Sequence, residues 1–356
     1  MKKIVMVLIM GLLTACGSEK TLDEKLAEVD QIFTAYDSAA LPGAAVMIIE
    51  NGEVILQKGY GMAHFATNSP VTAKSNFRLA SATKQFTAMS ILQLVEKGEL
   101  SLDTSLTDIF ETFPDYGKTI TIEHLLQHTS GIADYGPMGS MDVVRQFKDK
   151  DVLDFTIGLE SADFPVGEKH EYSNTAYVVL TQVLEKITSQ TFRDYLKENI
   201  FDPVGMENTL AFENGINEVS NRVYGYSIEE EGILETDQNK WSALLGDGGI
   251  YSNLEDLYKW DQVLYTDKLL GQKYMDMSFT NHKINDGSLM DYGYGWRIET
   301  YKGMDILYHT GSSIGFRNIL YRIPSKNFSA VILTNRDAGG EFSTLVSVHK
   351  VVDVFF

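Results

Sequence analysis

The sequence is poor in cysteine, in basic residues and in long apolar runs. Cys16 is the only cysteine among 356 residues, so a disulfide within the chain is impossible. Lysines and arginines number 30 against 49 acidic residues, and the net charge is -19. A surface this acidic repels phosphates, which argues against a nucleic-acid partner. After the N-terminus no stretch is apolar enough for a membrane helix, yet 44% of the residues are hydrophobic, which is enough for a substantial core.

The N-terminus has the pattern of an export signal. Two lysines precede an apolar stretch, residues 4–13, which is too short to span a bilayer. Small residues lead up to Cys16, and this arrangement resembles the bacterial lipoprotein box, in which the signal peptide is cut before a lipid-bearing cysteine. We therefore predict a signal peptide over residues 1–15 and a lipid anchor on Cys16 in the cell envelope. Gly17, in place of aspartate, favours the periplasmic face of the outer membrane in a Gram-negative host.

Strand signals lie at both ends of the remaining chain, with helical segments between them. Asn51-Gly52 joins two strand-like stretches and is a strong hairpin signal. The pattern predicts an α+β fold, with one antiparallel sheet built from both chain ends, flanking helices and an inserted, mainly helical lobe. The expected strands are residues 44–50, 53–60, 305–308, 318–323 and 329–333, with a final helix from about Glu341.

Ser81-Ala82-Thr83-Lys84 places a lysine three residues after a serine, at the start of a predicted helix over residues 81–97. Residues i and i+3 share a helix face, so the amine can approach the hydroxyl. A serine hydroxyl is a weak nucleophile until a base takes its proton, and a desolvated lysine at a helix N-terminus can be that base. A second S-x-x-K, at Ser347 and Lys350, has no partner motif downstream and is interpreted as chance.

Two further motifs supply groups that such a serine needs. Tyr172 is suited to relay protons, and Asn174 to hold a substrate carbonyl. His309-Thr310-Gly311 ends a predicted strand, and its glycine would let a substrate backbone lie along the strand edge. The backbone N–H groups of Ser81 and Ser312 would then form an oxyanion hole.

These three motifs, in this order, resemble the serine β-lactamase and DD-peptidase family. The likeness is strongest to the branch of class C β-lactamases, DD-carboxypeptidases and their esterase relatives, and covers nearly the whole chain after residue 40. It implies a β-lactamase/transpeptidase-like domain over residues 41–356, after a linker and helix in residues 16–40. Other segments that fit are residues 77–80, 125–131, 203–206, 248–252, 292–296 and 333–335.

By this resemblance Ser81 forms an acyl-enzyme that water hydrolyses. Lys84 and Tyr172 share the proton transfers, and which of them is the base stays open. Asn174 and the segment His309-Thr310-Gly311-Ser312 bind the substrate, and no cofactor or metal is implied. The substrate is a small molecule or peptide, with peptidoglycan fragments, D-amino-acid peptides, esters and β-lactams as candidates.

His309 stands where β-lactamases of this branch usually have lysine, and histidine there is more like certain DD-peptidases. This favours a DD-carboxypeptidase, D-amino-acid peptidase or esterase. A β-lactamase with weak turnover and a non-catalytic penicillin-binding sensor remain alternatives. With an ordinary pKa of about 6.5, His309 would change from charged to neutral between about pH 5.5 and pH 8, so we expect carboxylate binding to weaken across that range.

Two other patterns receive structural interpretations. Gly311–Gly315 is a literal G-x-S-x-G, but strand residues follow it, whereas the α/β-hydrolase nucleophile requires a strand-turn-helix elbow. His124 and His128 have the i, i+4 spacing of helix metal ligands, but no third ligand is evident.

Overall fold

The computed structural model describes residues 20–337 and 343–356. The predicted signal peptide, Cys16 and the predicted start of the last helix at Glu341 lie outside the described residues. The helices are α1 (Leu22–Phe33), α2 (Lys84–Glu96), α3 (Leu106–Ile109), α4 (Ile122–Leu126), α5 (Asp149–Ile157), α6 (Asn174–Thr188), α7 (Phe192–Leu196), α8 (Asp202–Val204), α9 (Leu254–Val263), α10 (Gln272–Ser278) and α11 (Thr344–Phe355). The strands are β1 (Ala44–Glu50), β2 (Glu53–Tyr60), β3 (Met62–His64), β4 (Ser69–Pro70), β5 (Phe77–Arg78), β6 (Leu210–Ala211), β7 (Tyr226–Glu229), β8 (Gly232–Glu235), β9 (Ile250–Ser252), β10 (Arg297–Tyr301), β11 (Met304–Ser313), β12 (Phe316–Ile323), β13 (Phe328–Thr334) and β14 (Arg336–Asp337).

A six-stranded antiparallel sheet combines the two ends of the chain, as predicted. Its strand order is β10-β11-β12-β13-β1-β2, so β1 lies between its hairpin partner and a strand from the C-terminal end. The register of β1 on β13 pairs Ala44 with Thr334. The β1–β2 hairpin turns at Asn51 and Gly52, whose φ angles of 54° and 82° are the left-handed values that this dipeptide favours.

Both faces of this sheet are covered, which explains why β1 is buried along most of its length. Val46 and Ile48 pack in an apolar cluster with residues of α1 and α11. Met47 and Ile49 belong to the larger core on the opposite face, together with residues of α2 and α9. Successive strand residues face opposite sides of a sheet, so a strand between two layers is apolar at every position.

The segment between β2 and β10 forms the inserted lobe, and α2 and α6 pack together at its centre. Every residue of α2 from Lys84 to Leu94 is buried. The lobe also contains the small sheets β5-β9-β6 and β7-β8, the latter joined by β14, which the sequence pattern did not predict. Among the described residues, no helix is long and apolar enough to cross a membrane.

Candidate active site

Ser81 lies where the lobe meets the sheet, on a tight 3-10 turn over Ala80–Thr83 that leads into α2. The α-helix itself begins at Lys84, three residues later than predicted. The backbone of Ala80 is in the left-handed region, with φ 50°, which is uncommon for a residue with a Cβ. Such a conformation persists only where the surrounding structure imposes it. The turn presents Ser81 to a cavity of about 200 Å³ that Asn174 and Ser312 also line.

The Lys84 side chain is fully buried and its amine contacts three groups. Nζ lies 3.4 Å from the Ser81 hydroxyl, 2.8 Å from Asn174 Oδ1 and 3.1 Å from the main-chain oxygen of Asp247. It also sits 4.8 Å from the centre of the Tyr172 ring. None of these partners is a carboxylate, so the lysine is held by neutral acceptors beside the serine.

The ring of His128 packs against the ring of Tyr172. The two rings are 4.4 Å apart, and Nδ1 of His128 accepts a hydrogen bond from the backbone N–H of Ser173 at 3.1 Å. Ser173 caps α6 by accepting from the N–H of Ala176. The Tyr172 hydroxyl is buried and has no hydrogen-bond partner among residues 20–337 and 343–356. The described residues therefore leave its hydrogen-bonding capacity unused.

The third motif lies on β11, beside the turn that carries Ser81. Strand β10 pairs with β11 only as far as Tyr308, so residues 309–313 have no strand partner on that side among the described residues. This agrees with strand-edge docking of a substrate. The reason for the glycine differs from the expectation, because a Cβ on Gly311 would lie 2.0 Å from the Leu79 carbonyl oxygen. Gly311 thus allows the close approach of β11 that brings Ser312 into the same cavity as Ser81.

The expected titration of His309 is wrong. Its side chain is 1% exposed, Nε2 lies 3.0 Å from the Tyr292 hydroxyl, and Nδ1 lies 2.7 Å from the Thr310 carbonyl oxygen. A carbonyl only accepts, so Nδ1 carries the proton and Nε2 accepts from the tyrosine. Burial, reinforced by the Lys84 charge, lowers the pKa of His309 to about 3. The imidazole is neutral throughout the range in which we expected it to bind a carboxylate.

Arg297 is a cation near this motif that the sequence reasoning missed. It begins β10 opposite Tyr308, and its guanidinium is 5.7 Å from the centre of the Tyr172 ring. Within the described part of the chain its guanidinium makes no hydrogen bond or ion pair. The only signal was its place directly after the aromatic segment 292–296.

Asp247 and Tyr135 form a second pair that sequence reasoning missed. They are 112 residues apart, and the Tyr135 hydroxyl donates to Asp247 Oδ2 at 2.8 Å. Both line the cavity beside Ser81. Burial raises the pKa of the Asp247 carboxyl, and the nearby Lys84 charge opposes this shift. No short motif joins the two residues, so only the fold brings them together.

The structure also places the G-x-S-x-G segment and the histidines with metal-like spacing. Gly311–Gly315 lies on β11 and its turn into β12, with no helix after it. His124 takes part in the N-terminal capping box of α4 with Thr121. No group of metal-binding side chains that could hold an ion occurs in the described ranges.

Comparison with known proteins gives consistent matches. The family profile described as Beta-lactamase matches residues 29–348. A penicillin-binding protein of Bacillus subtilis is 30% identical over 346 residues, covering 92% of this chain and 73% of that protein. A D-aminopeptidase of Gluconobacter oxydans is 26% identical over 315 residues, which is 85% of this chain but only 57% of that protein.

The fold also matches that of solved structures. The D-amino acid amidase of Ochrobactrum anthropi, in complex with L-phenylalanine amide, superposes with a TM-score of 0.80. The match covers 93% of this chain and 98% of that one at 23% identity, so it bears on the fold alone. It confirms the predicted β-lactamase/transpeptidase-like architecture. With the profile covering most of the chain, the protein belongs to the β-lactamase family and is a serine hydrolase of that family.

Proposed function

We propose that the protein hydrolyses amide or ester bonds of D-amino-acid substrates through an acyl-enzyme on Ser81, as a DD-carboxypeptidase or D-amino-acid peptidase. The observation that carries the acyl-enzyme step is the set of contacts of the Lys84 amine. To act as the base the amine must be neutral, with two N–H donors and one lone pair. Asn174 Oδ1 and the Asp247 carbonyl can take the two donors, which leaves the lone pair for the Ser81 proton.

The first step follows from this arrangement. Ser81 Oγ attacks the substrate carbonyl carbon while its proton passes to Lys84, and the N–H groups of Ser81 and Ser312 receive the oxyanion. Collapse breaks the bond to the leaving group, whose nitrogen or oxygen takes a proton. The unpartnered Tyr172 hydroxyl is suited to relay that proton from Lys84. Water then attacks the ester on Ser81 and releases the acid.

Arg297 supports a leaving group that ends in a carboxylate. It lies beside Tyr172, where the leaving group must receive its proton, and it has no acidic partner of its own among the described residues. A guanidinium keeps its charge and can hold a carboxylate with two hydrogen bonds. It therefore takes the role that we first expected of His309. The names of the penicillin-binding and D-aminopeptidase relatives agree with a substrate of this class.

A panel of matched substrates tests the reaction class. D-alanyl-D-alanine peptides, the corresponding esters, the L,L epimers and a penicillin are incubated with the purified protein, and product release is followed. We expect turnover of the D,D peptides or esters and its loss in Ser81→Ala. Turnover of the penicillin alone would favour the β-lactamase alternative, and binding without turnover would favour the sensor.

We also propose that the protein is exported and anchored in the cell envelope by a lipid on Cys16. The support is the sequence pattern around this residue, which lies outside the described residues. An envelope location would bring the site to peptidoglycan fragments, which have D-amino-acid peptide ends.

A further inference from the structure

Next to Tyr172 lies His128, a fully buried residue to which the proposed reaction gives no role. His128 ends α4 in the left-handed conformation, with φ 59°, and the N–H of Thr129 closes this turn on the His124 carbonyl at 2.9 Å. Glycine is the usual residue at such a helix end, because it has no Cβ to strain the backbone. The turn itself therefore does not explain an imidazole at this position.

His128 holds the chain on both sides of Tyr172. Its main-chain carbonyl accepts from the N–H of Glu171 at 2.9 Å, and its Nδ1 accepts from the N–H of Ser173 at 3.1 Å. Its ring packs on the Tyr172 ring, with 4.4 Å between the ring centres. The main chain and the side chain of one residue thus fix the segment that carries the tyrosine.

The imidazole of His128 is held in one neutral form. Nδ1 accepts a hydrogen bond, so the proton of the neutral ring is on Nε2. Burial, reinforced by the Lys84 charge, lowers the pKa of His128 well below its ordinary value. Nε2 is buried and has no hydrogen-bond partner in the described ranges. An unpartnered buried donor and a left-handed backbone both cost stability, and such costs are typical of functional sites.

We propose that His128 is the positioning residue of Tyr172, because its two hydrogen bonds and its ring fix the tyrosine hydroxyl where the leaving group takes its proton. This role rests on the proposed function. As the bond between the acyl carbon and the leaving oxygen or nitrogen breaks, the Tyr172 hydroxyl gives its proton to that atom and takes one from the Lys84 ammonium. His128 acts only through the tyrosine and exchanges no proton.

Two esters of D-alanine separate this role from a purely structural one. The methyl ester releases a strongly basic alkoxide, which must take a proton as it leaves, whereas the p-nitrophenyl ester releases a weakly basic phenolate that needs none. Both give the same acyl-enzyme on Ser81, so their kcat/KM values compare acylation alone. A misplaced Tyr172 hydroxyl should therefore slow the methyl ester and spare the p-nitrophenyl ester. Tyr172→Phe provides the reference for this pattern.

His128→Leu fills the space of the imidazole but lacks the acceptor for the N–H of Ser173. We expect it to lower kcat/KM by about tenfold or more for the methyl ester and by no more than about threefold for the p-nitrophenyl ester, since a small displacement of a reacting group is costly. His128→Asn should recover most of the loss, because its side-chain oxygen reaches the place of Nδ1 and asparagine tolerates the left-handed backbone. If His128→Leu does not fold, His128→Gln replaces it, since its amide lies beyond that place.

His124→Leu is the matched control. Nδ1 of His124 also accepts from a backbone N–H, that of Thr121 at 3.1 Å, but in the capping box at the other end of α4. This variant loses the same kind of bond away from Tyr172, so the ratio of the two kcat/KM values should stay that of the wild type. The labelling rate of Ser81 with a fluorophosphonate, whose fluoride leaves as the anion, shows that each variant is folded.

The double variant His128→Leu/Tyr172→Phe should be no slower on the methyl ester than Tyr172→Phe, because both changes act on one hydroxyl. Losses that multiply, or equal losses on the two esters in His128→Leu, would overturn the positioning role and leave the proposed function standing. If Tyr172→Phe itself slows both esters equally, the proton relay of the proposed function fails, and the positioning role fails with it. Cleavage of neither ester by the wild type would overturn both.

Discussion

At the scale of single residues, Lys84 and Tyr172 should behave as one unit. The amine lies 4.8 Å from the ring centre and 3.4 Å from the Ser81 hydroxyl, and in the proposed reaction these three groups share one proton. We expect Lys84→Ala and Tyr172→Phe each to lower kcat/KM by about 10²- to 10⁴-fold. The double variant should lose little more, because residues that serve one step are not additive. Losses that multiply would contradict the shared proton transfer.

Gly311 gives a second prediction at this scale. Its missing side chain is required where β11 approaches the turn before Ser81, since a Cβ would lie 2.0 Å from the Leu79 carbonyl oxygen. Gly311→Ala should lower the free energy of unfolding by about 1–3 kcal/mol and the acylation rate more than tenfold, because the strand must move away. Gly136→Ala, where a Cβ meets nothing within 4 Å, is the control. Normal acylation in Gly311→Ala would show that the strand can shift without harm.

The site residues that could be predicted from the sequence are those that belong to a local motif. Ser81 and Lys84 share a helical turn, and Tyr172 and Asn174 flank a helix cap, so each pair is visible in a few letters. Arg297 and Asp247 have no such spacing, because their surroundings come from distant segments. The prediction of the charge state of His309 was wrong for the same reason, since the burial that lowers its pKa depends on the whole fold.

At the scale of elements, Asp149 joins α5 to α6 and to the loop that carries Asp247. Its buried carboxylate accepts from the N–H of Leu245 and from the Thr181 hydroxyl, both at 2.8 Å. Burial raises the pKa of Asp149 to about 7, above the value of about 3.9 expected when unfolded. The folded state therefore binds this proton more tightly, and the stability linked to it is lost as pH rises through about 4 to 7.

Asp149→Asn should remove this dependence. We expect the free energy of unfolding of the wild type, minus that of the variant, to fall by up to about 1.4 kcal/mol per pH unit between about pH 4.5 and pH 6.5. Chemical denaturation at several pH values measures it. A difference that stays constant or rises with pH would show that the carboxylate is already ionised in the folded protein.

The outer elements were easier to predict than the central ones. The first hairpin follows from Asn51-Gly52 and from the strand residues on either side, which need no tertiary information. The start of α2 was misplaced because Ala80–Thr83 adopts a tight turn under contacts from β11 and the lobe. The small sheets of the lobe have strands of only two to four residues, too short to leave a period in the sequence.

At the scale of the whole molecule, the sheet and the lobe meet at the cavity of Ser81, which receives Ser312 from β11 and Asn174 from α6. The proposed lipid anchor on Cys16 would hold the protein in the cell envelope. We expect Cys16→Ala either to stall processing of the signal peptide or to release the protein from membranes, since a lipoprotein remains bound through several acyl chains. Fractionation with detection of bound lipid measures this, and a variant that is cleaved and still anchored would contradict the lipid anchor.

The most direct test is to map the acyl group itself. The protein is mixed with a D-alanyl ester, quenched in acid within its first turnovers, and digested for mass spectrometry. We predict one acylated peptide, with the added mass on Ser81, and no acylation in Ser81→Ala, whereas Ser313→Ala should acylate normally. A stable acyl group on Ser313, or turnover that continues in Ser81→Ala, would contradict Ser81 as the nucleophile.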